Sequence, residues 1–137
     1  MTGSKLHRNR RGFTLIELLV VLMLIAILAS LAMARYLSAK DKGCVAAATC
    51  DLDLVRKLLA YYDADWNGYP PVATSYNDLQ DRLVDADGNI LGELPYPYTF
   101  EFVSYSLDAD NDYVLRVRAR DNGGTILLAT PETVIRE

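Results

Sequence analysis

The sequence has almost no histidine, which bears on whether it can be an enzyme. Its one histidine, His7, lies among the first few of 137 residues, so no serine or cysteine elsewhere has a histidine to activate it. The chain also lacks a glycine-rich phosphate loop and any zinc-type spacing of Cys and His. We therefore expect a protein that is not an enzyme.

Acidic residues are absent from the first 12 positions, which hold only cations among their fixed charges: Lys5, Arg8, Arg10 and Arg11. Residues 13–137 carry all 18 Asp and Glu against 10 Lys and Arg, a net charge of −8. Such a surface repels phosphates, so we expect no nucleic acid partner. An apolar content of 51% argues against disorder.

Cysteine is scarce as well, with Cys44 and Cys50 six positions apart. In one unbroken helix they would lie about 9 Å apart along the axis and on different faces. A disulfide tolerates a Cα separation of about 7 Å at most, so a bridge within the chain would need a helix break, for which Gly43 is the nearby candidate. The favoured interpretation is two small packing residues, and a disulfide within or between chains is the alternative.

Residues 13–34 form a long apolar run. As a helix it would be about 33 Å long, enough to cross a hydrocarbon core of about 30 Å. The cations before it place the N-terminus in the cytoplasm by the positive-inside rule, so that everything after Arg35 faces outward.

The helix is expected to continue well beyond the apolar run, because no strong breaker follows. An apolar stripe at spacings of three and four comprises Leu52, Val55, Leu59 and Tyr62. The opposite side carries Asp51, Asp53, Arg56 and Lys57. We predict one helix from about Phe13 to about Asp63, ending at the breaker-rich stretch DADWNGYPP.

The remaining residues predict a small antiparallel sheet. The stretch SYND at 75–78 predicts a capped short helix over 77–84, and TFEFVSYSL (99–107) and DYVLRVRAR (112–120) predict two strands. A third strand, TILLA, follows the turn DNGG. The second strand alternates between two sets: Tyr113, Leu115, Val117 and Ala119 on the buried face, and Val114, Arg116, Arg118 and Arg120 on the exposed face. The sheet's apolar face and the helix stripe are expected to cover each other in an α+β fold.

Two common interpretations of the N-terminal segment, residues 1–34, leave Glu17 unexplained. A secretory signal peptide could be cut after Ala34, within the small-x-small stretch AMA, and would release a secreted soluble binding domain starting at Arg35. A plain membrane anchor would explain the length and the charge asymmetry. Neither gains anything from a carboxylate inside the apolar run, where a charge is unfavourable.

The stretch RRGFTLIELLVVLMLIAILA resembles the N-terminal cleavage and methylation motif of type IV prepilins and type II secretion pseudopilins. It has a basic leader, Gly12 before the cut, Phe13 after it, and Glu17 as the fifth residue of the mature chain. The resemblance implies that a prepilin peptidase cuts between Gly12 and Phe13 and N-methylates Phe13. It implies a pilin-like fold with three parts: a cleaved leader (1–12), a transmembrane and fibre-core helix (13–35), and a periplasmic domain (36–137) whose amphipathic helix half covers 36–63.

The resemblance also implies a structural function at the bacterial inner membrane. The mature subunit would cross the membrane once and then be drawn by an inner-membrane assembly platform into a helical fibre, with copies of itself or with other pilin-like subunits. The fibre would lie in the periplasm for a type II secretion pseudopilin, the favoured reading. It would lie on the cell surface for the alternative, a type IV pilus pilin used in adhesion, motility or DNA uptake.

Glu17 acquires a function in this scheme. Cutting after Gly12 creates a positive amine on Phe13, and a carboxylate of a neighbouring helix can pair with it. Losing one partner of a buried ion pair is far more unfavourable than losing both, so we expect the pair to fix the axial offset between neighbouring subunits.

Three further features refine the resemblance. Many family members have Gly and Pro at the positions of Ala26 and Ala34, and two alanines predict a more continuous helix here. The stretch YYDADWNGYPP is similar to the end of the long helix in major pseudopilins. Members of that group often hold calcium in their sheet loops, and two oxygen-rich turns are candidates for it: Asp85, Asp87 and Asn89, and Asp108, Asp110 and Asp112. Solvated turns without a metal are the alternative, and no other cofactor is expected.

Overall fold

The structure, a computed structural model, describes residues 12–137, so the basic leader residues 1–11 lie outside the described residues. Residues up to Leu37 and residues from Ser38 onward form two separate units. The described elements are two helices and four strands: α1 (Leu15–Trp66), α2 (Tyr76–Arg82), β1 (Phe100–Leu107), β2 (Tyr113–Ala119), β3 (Ile126–Ala129) and β4 (Val134–Arg136).

Helix α1 confirms the predicted long helix and ends three residues later than expected. It is unbroken over 52 residues and continues through Gly43, so this glycine does not end it. The helix stops where Asn67 adopts φ 52° and donates its backbone N–H to the carbonyl of Asp63 at 2.7 Å. Asparagine tolerates this left-handed conformation, which is typical of the residue just after a helix.

The first part of α1 is apolar and exposed all round. Every residue from Leu15 to Ala34 is exposed within the chain, including such large side chains as Leu15, Leu22, Leu28 and Leu31. Among the described residues, α1 is the one helix long and apolar enough to cross a membrane. Exposed apolar surface on this scale marks a membrane or protein interaction site.

The second part of α1 contributes one side of the core of the C-terminal unit. Leu52, Val55 and Leu59 of the predicted stripe are fully buried, whereas Tyr62 is only half-buried. Ala48, which the stripe did not include, is fully buried as well. The buried face of β2 faces this stripe with four residues: Tyr113, Leu115, Val117 and Ala119. Burying each such leucine stabilises the fold by about 1.5–3 kcal/mol, which explains why helix and sheet cover each other.

The sheet is antiparallel, with the strands in chain order from β1 to β4. Its first three strands are those predicted. The fourth strand was not predicted, because its three residues are too few to show a period of two. A bulge lies between Phe102 and Ser104 of β1, so the alternation of buried and exposed residues in that strand is irregular.

The start of α2 differs in detail from the expected capping box. The Ser75 hydroxyl accepts the backbone N–H of Asp78 at 3.1 Å, as predicted. The Asp78 carboxylate accepts the N–H of Thr74 at 2.8 Å instead of the N–H of Ser75. It also pairs with Arg82 at 2.9 Å, which ties both ends of this short helix together.

Arg56 connects α1 to the turn between β3 and β4. Its Nε donates to the carbonyl of Thr130 at 2.9 Å, and its Nη2 donates to the carbonyl of Pro131 at 2.8 Å. Asp53 holds the third nitrogen at 2.9 Å. The sequence pattern predicted Arg56 on the polar side of the helix. In the structure, this side chain binds the turn between β3 and β4.

Replacement of Arg56 by Lys is expected to lower the free energy of unfolding by about 1–3 kcal/mol, because one ammonium cannot serve both carbonyls. The measurement is urea unfolding of the full chain in detergent. The control is Lys57→Ala at the adjacent exposed cation, which should change the value by less than about 0.5 kcal/mol. An equal change in the free energy of unfolding for the two variants would contradict a stabilising contact between Arg56 and the two carbonyls.

Candidate functional site

The Gly12–Phe13 peptide bond lies just ahead of α1. Residues 12 to 14 are non-helical and exposed, and apart from its chain neighbours no atom of residues 12–137 lies within 4 Å of the position that a Gly12 side chain would take. The Phe13 side chain is 74% exposed. The bond that the motif marks for cutting is therefore accessible within the chain.

Thr14 and Glu17 cap the start of α1. The Glu17 carboxylate accepts the Thr14 backbone N–H at 3.0 Å and the Thr14 hydroxyl at 2.9 Å. The Thr14 hydroxyl oxygen in turn accepts the backbone N–H of Glu17 at 3.3 Å. This is a reciprocal capping box, which satisfies backbone donors that the first helical turn leaves free.

Sequence reasoning missed this capping role although the signal was present. Thr-x-x-Glu directly before an apolar run is the sequence signature of a capping box, and Glu17 was interpreted only through assembly. The structure therefore adds a function within the chain to the carboxylate. The predicted assembly function of Glu17 and the processing functions of Gly12 and Phe13 stay predictions.

The carboxylate lies in an apolar setting. Glu17 is the only charged residue between positions 12 and 34. It lines a shallow groove of about 350 Å³ with four apolar side chains: Phe13, Ile16, Val20 and Val21. Glu17 is itself exposed, so a cation on a neighbouring molecule can reach it.

The two alanines that replace the family's Gly and Pro lie in uninterrupted helix. Ala26 and Ala34 both have helical backbone, and α1 shows no break between them. The more continuous helix expected from these residues is present in the structure.

The cysteines do not form a bridge within the chain. Cys44 and Cys50 are both free and lie on the unbroken α1, so the helix break that a bridge would need is missing. Cys50 is exposed rather than buried, which corrects the favoured interpretation of two packing residues, because its position faces away from the sheet. A disulfide between chains stays a prediction.

The two oxygen-rich turns are built in the same way. The carboxylate of the first aspartate, Asp85 or Asp108, accepts backbone N–H groups two and four residues later: from Asp87 at 3.0 Å and Asn89 at 2.7 Å, and from Asp110 at 2.9 Å and Asp112 at 3.0 Å. The fourth residue has positive φ in both turns: 84° at Gly88 and 67° at Asn111. These are self-closed aspartate turns.

This geometry gives no support to the calcium expectation. In residues 12–137, no three His, Cys, Asp or Glu side chains come together as they would to hold a metal ion. The leading aspartate of each turn is already engaged by backbone donors. The six predicted ligands lie in two separate turns, and calcium binding stays a prediction.

Comparisons with known proteins agree with the N-terminal geometry. Residues 7–33 match the family model described as the prokaryotic N-terminal methylation motif. The type IV wide pilus major component PilA4 of Thermus thermophilus is 35% identical over 126 residues, covering 91% of this chain and 85% of the relative. The type II secretion system core protein G of Escherichia coli K12 is 34% identical over 124 residues, covering 88% and 81%.

The chain belongs to the family of type IV pilins and type II secretion pseudopilins. Core protein G of Aeromonas hydrophila is also similar, at 30% identity over 95 residues, 64% of this chain and 66% of the relative. No solved structure matches the chain significantly. The chain is accordingly a structural subunit of the pilin or pseudopilin kind, and its relatives are named as structural components rather than as enzymes.

Two aspartates that close turns predict a pH dependence of stability. Hydrogen bonds from Asn89 lower the pKa of Asp85, and hydrogen bonds from Thr125 lower the pKa of Asp121. A lowered pKa in the folded state contributes stability that is present above the unfolded pKa, about 3.9, and is lost as the pH falls through the folded pKa.

We therefore expect the unfolding temperature of the full chain in detergent to fall as the pH drops below about 5. Asp85→Asn combined with Asp121→Asn should flatten this fall, since asparagine still accepts the backbone N–H groups but does not titrate. The control is Asp87→Asn combined with Asp110→Asn, whose carboxylates accept no hydrogen bond within the described residues. A fall of equal steepness in all three proteins would contradict the assignment.

Proposed function

We propose that the chain is a type II secretion pseudopilin that is cut between Gly12 and Phe13 by a prepilin peptidase, N-methylated on Phe13, and polymerised through α1. The observation that carries this proposal is an exposed apolar segment, residues 15–34 of α1, that directly follows an accessible Gly–Phe bond and contains one carboxylate. Its relatives named as type II secretion core protein G support the same function.

The membrane arrangement follows from the distribution of charge and apolar residues. Residues 13–35 cross the bacterial inner membrane once, the cationic leader stays in the cytoplasm, and residues 36–137 lie in the periplasm. Lipid covers the apolar surface of α1 before assembly, and α1 of neighbouring subunits covers it in the fibre. The inner-membrane assembly platform is the partner that transfers the subunit from one environment to the other. The protein performs no catalysis.

Glu17 has two successive partners in this proposal. Before assembly, Thr14 donates to its carboxylate and keeps the side chain ordered at the start of α1. After cutting, the new amine of Phe13 in an adjacent subunit pairs with the carboxylate in an apolar environment. Because an uncompensated charge is strongly unfavourable there, only subunits at the correct axial offset are held.

A surface type IV pilus pilin is the second candidate function, since the Thermus relative named as a pilus component covers a similar share of this chain. Neighbouring genes distinguish the two. A secretion ATPase and an outer-membrane secretin without a retraction ATPase favour secretion. The third hypothesis, a soluble domain released by cutting after Ala34, has less support, because that cut would fall inside the unbroken α1.

Processing is tested by the start of the mature chain. Protein recovered from cell membranes is expected to begin with N-methylated Phe13, as read by N-terminal sequencing and intact mass. Gly12→Val should leave the uncut precursor in the membrane, because the motif requires Gly before the cut. Gly43→Val serves as the control, since it changes a glycine outside the motif, where the structure leaves open space. A mature chain that begins at Arg35 would contradict the proposal.

The function of the Glu17 charge is separated from its function as a cap by two substitutions. Glu17→Ala removes both, whereas Glu17→Gln keeps an acceptor that suits a capping box and removes only the charge. Both variants are expected to be cut and inserted normally and to lower the yield of sheared fibre by at least about tenfold, because the ion pair is lost.

Thr14→Val is the complementary variant, since it removes the hydroxyl of the cap and leaves the charge. We expect it to retain more fibre than Glu17→Gln. Wild-type fibre yield from Glu17→Gln would show that capping is sufficient and would remove the assembly function of the charge.

A further inference from the structure

Strand β2 has negative charge at one end and positive charge along its exposed face and at the other end. Three aspartates precede the strand, and three arginines alternate along it and just after it: Asp108, Asp110 and Asp112, then Arg116, Arg118 and Arg120. Each residue of a strand advances about 3.3 Å, so the first acids and the last arginines are well separated. The negative and the positive charges therefore lie at opposite ends of β2.

Two of the aspartates are free to bind a partner. The carboxylate of Asp108 is engaged, because it accepts the N–H groups of Asp110 and Asp112. The carboxylates of Asp110 and Asp112 accept no hydrogen bond and form no ion pair with any residue in the range 12–137, and both residues are exposed. The turn therefore presents two unpaired negative charges to solvent.

Two of the arginines form no ion pair within residues 12–137. Arg116 pairs with Glu137 at 3.5 Å, whereas Arg118 has no ion pair in the described part of the chain, although Glu101 lies opposite it in β1. Arg120 has one long contact, with the carbonyl of Pro97 at 3.5 Å. The stem of Arg118 packs beside Gly124, where a side chain would meet its Cδ at 3.4 Å, so glycine at this position leaves room for the arginine.

We propose that in the fibre Arg118 and Arg120 of one subunit bind Asp110 and Asp112 of a second copy of this chain. The inference rests on the fibre-subunit function proposed above. Subunits of a helical fibre all point the same way, so each contact joins two different patches of the same chain. The two ends of β2 provide such a pair of patches. The two arginines at the far end of β2 in one copy would meet the two carboxylates that precede β2 in the next copy.

The overall charge of the subunit makes this contact selective. Residues 13–137 carry a net charge of −8, so most ways of bringing two copies together are repulsive. Across the described residues, β2 is the only strand with more than one cation on its exposed face. An arrangement that places this face against the acidic turn of the next copy replaces repulsion by attraction and is favoured over orientations that bring acidic surfaces together.

The test reverses each charged group, and then both, in cells that assemble the wild-type chain into fibres. R118D/R120D and D110R/D112R are each expected to lower the yield of sheared fibre by about tenfold or more, because like charges then face each other. The chain that carries all four changes re-forms the pairs in the opposite sense. It should recover to within about threefold of the wild-type yield, which is the signature of direct coupling.

A matched control exists because the leading aspartate accepts the same backbone N–H groups in the Asp85–Asn89 turn as in the Asp108–Asp112 turn. D87R/N89R changes the corresponding positions and should leave the fibre yield within about twofold of wild type, since no contact is proposed there. Thermal unfolding of each full chain in detergent checks that the variants are folded.

The neutral variant R118Q/R120Q provides a second measurement if a reversed chain does not fold. Wild-type fibres should release subunits as the ionic strength rises from about 0.05 to about 0.5 M, since salt screens exposed pairs. Fibres of the neutral variant should be fewer and should respond less to salt.

Three results would overturn the contact: wild-type yield from either folded reversal, no recovery in the folded four-fold variant, or an unchanged yield and salt response in R118Q/R120Q. A wild-type chain that forms no fibre would instead overturn the proposed function, and the two failures are therefore distinguishable.

Discussion

The apolar surface of residues 15–34 is the constraint on which the rest of the molecule depends. No side chain of the described residues covers it, so lipid or a neighbouring protein must do so. That requirement explains why the chain keeps a large apolar surface exposed while its C-terminal unit has a small, separate core. It also means that the one carboxylate in that surface needs a partner once the surface is covered, since a charge without a partner is most unfavourable where water is absent.

The capping box changes how the N-terminal segment is understood. Thr14 and Glu17 satisfy each other within one chain, so the carboxylate is already ordered before any neighbour arrives. In the proposed fibre, less side-chain freedom would then remain to be lost when the amine of another subunit binds it. The proposed function thus assigns helix capping and assembly to the same side chain, and a substitution at this position is informative only when it separates the charge from the hydrogen-bonding capacity.

Much of the fold could be predicted because its signals are local and periodic. The spacing of Leu52, Val55 and Leu59 predicted the buried side of the helix, and the alternation in β2 predicted both faces of that strand. The tether of Arg56 to Thr130 could not be predicted, because it joins positions 74 residues apart. Strand β4 was too short to show a pattern. The cap of Glu17 could have been predicted, because Thr-x-x-Glu directly precedes the apolar run.

The unbroken helix has a mechanical consequence. With alanine at positions 26 and 34, α1 contains no weak turn that could unwind when the fibre is pulled. In the proposed fibre, tension would therefore be borne by contacts between neighbouring helices instead of by unwinding within each helix. The strength of such a fibre would be set by packing between copies.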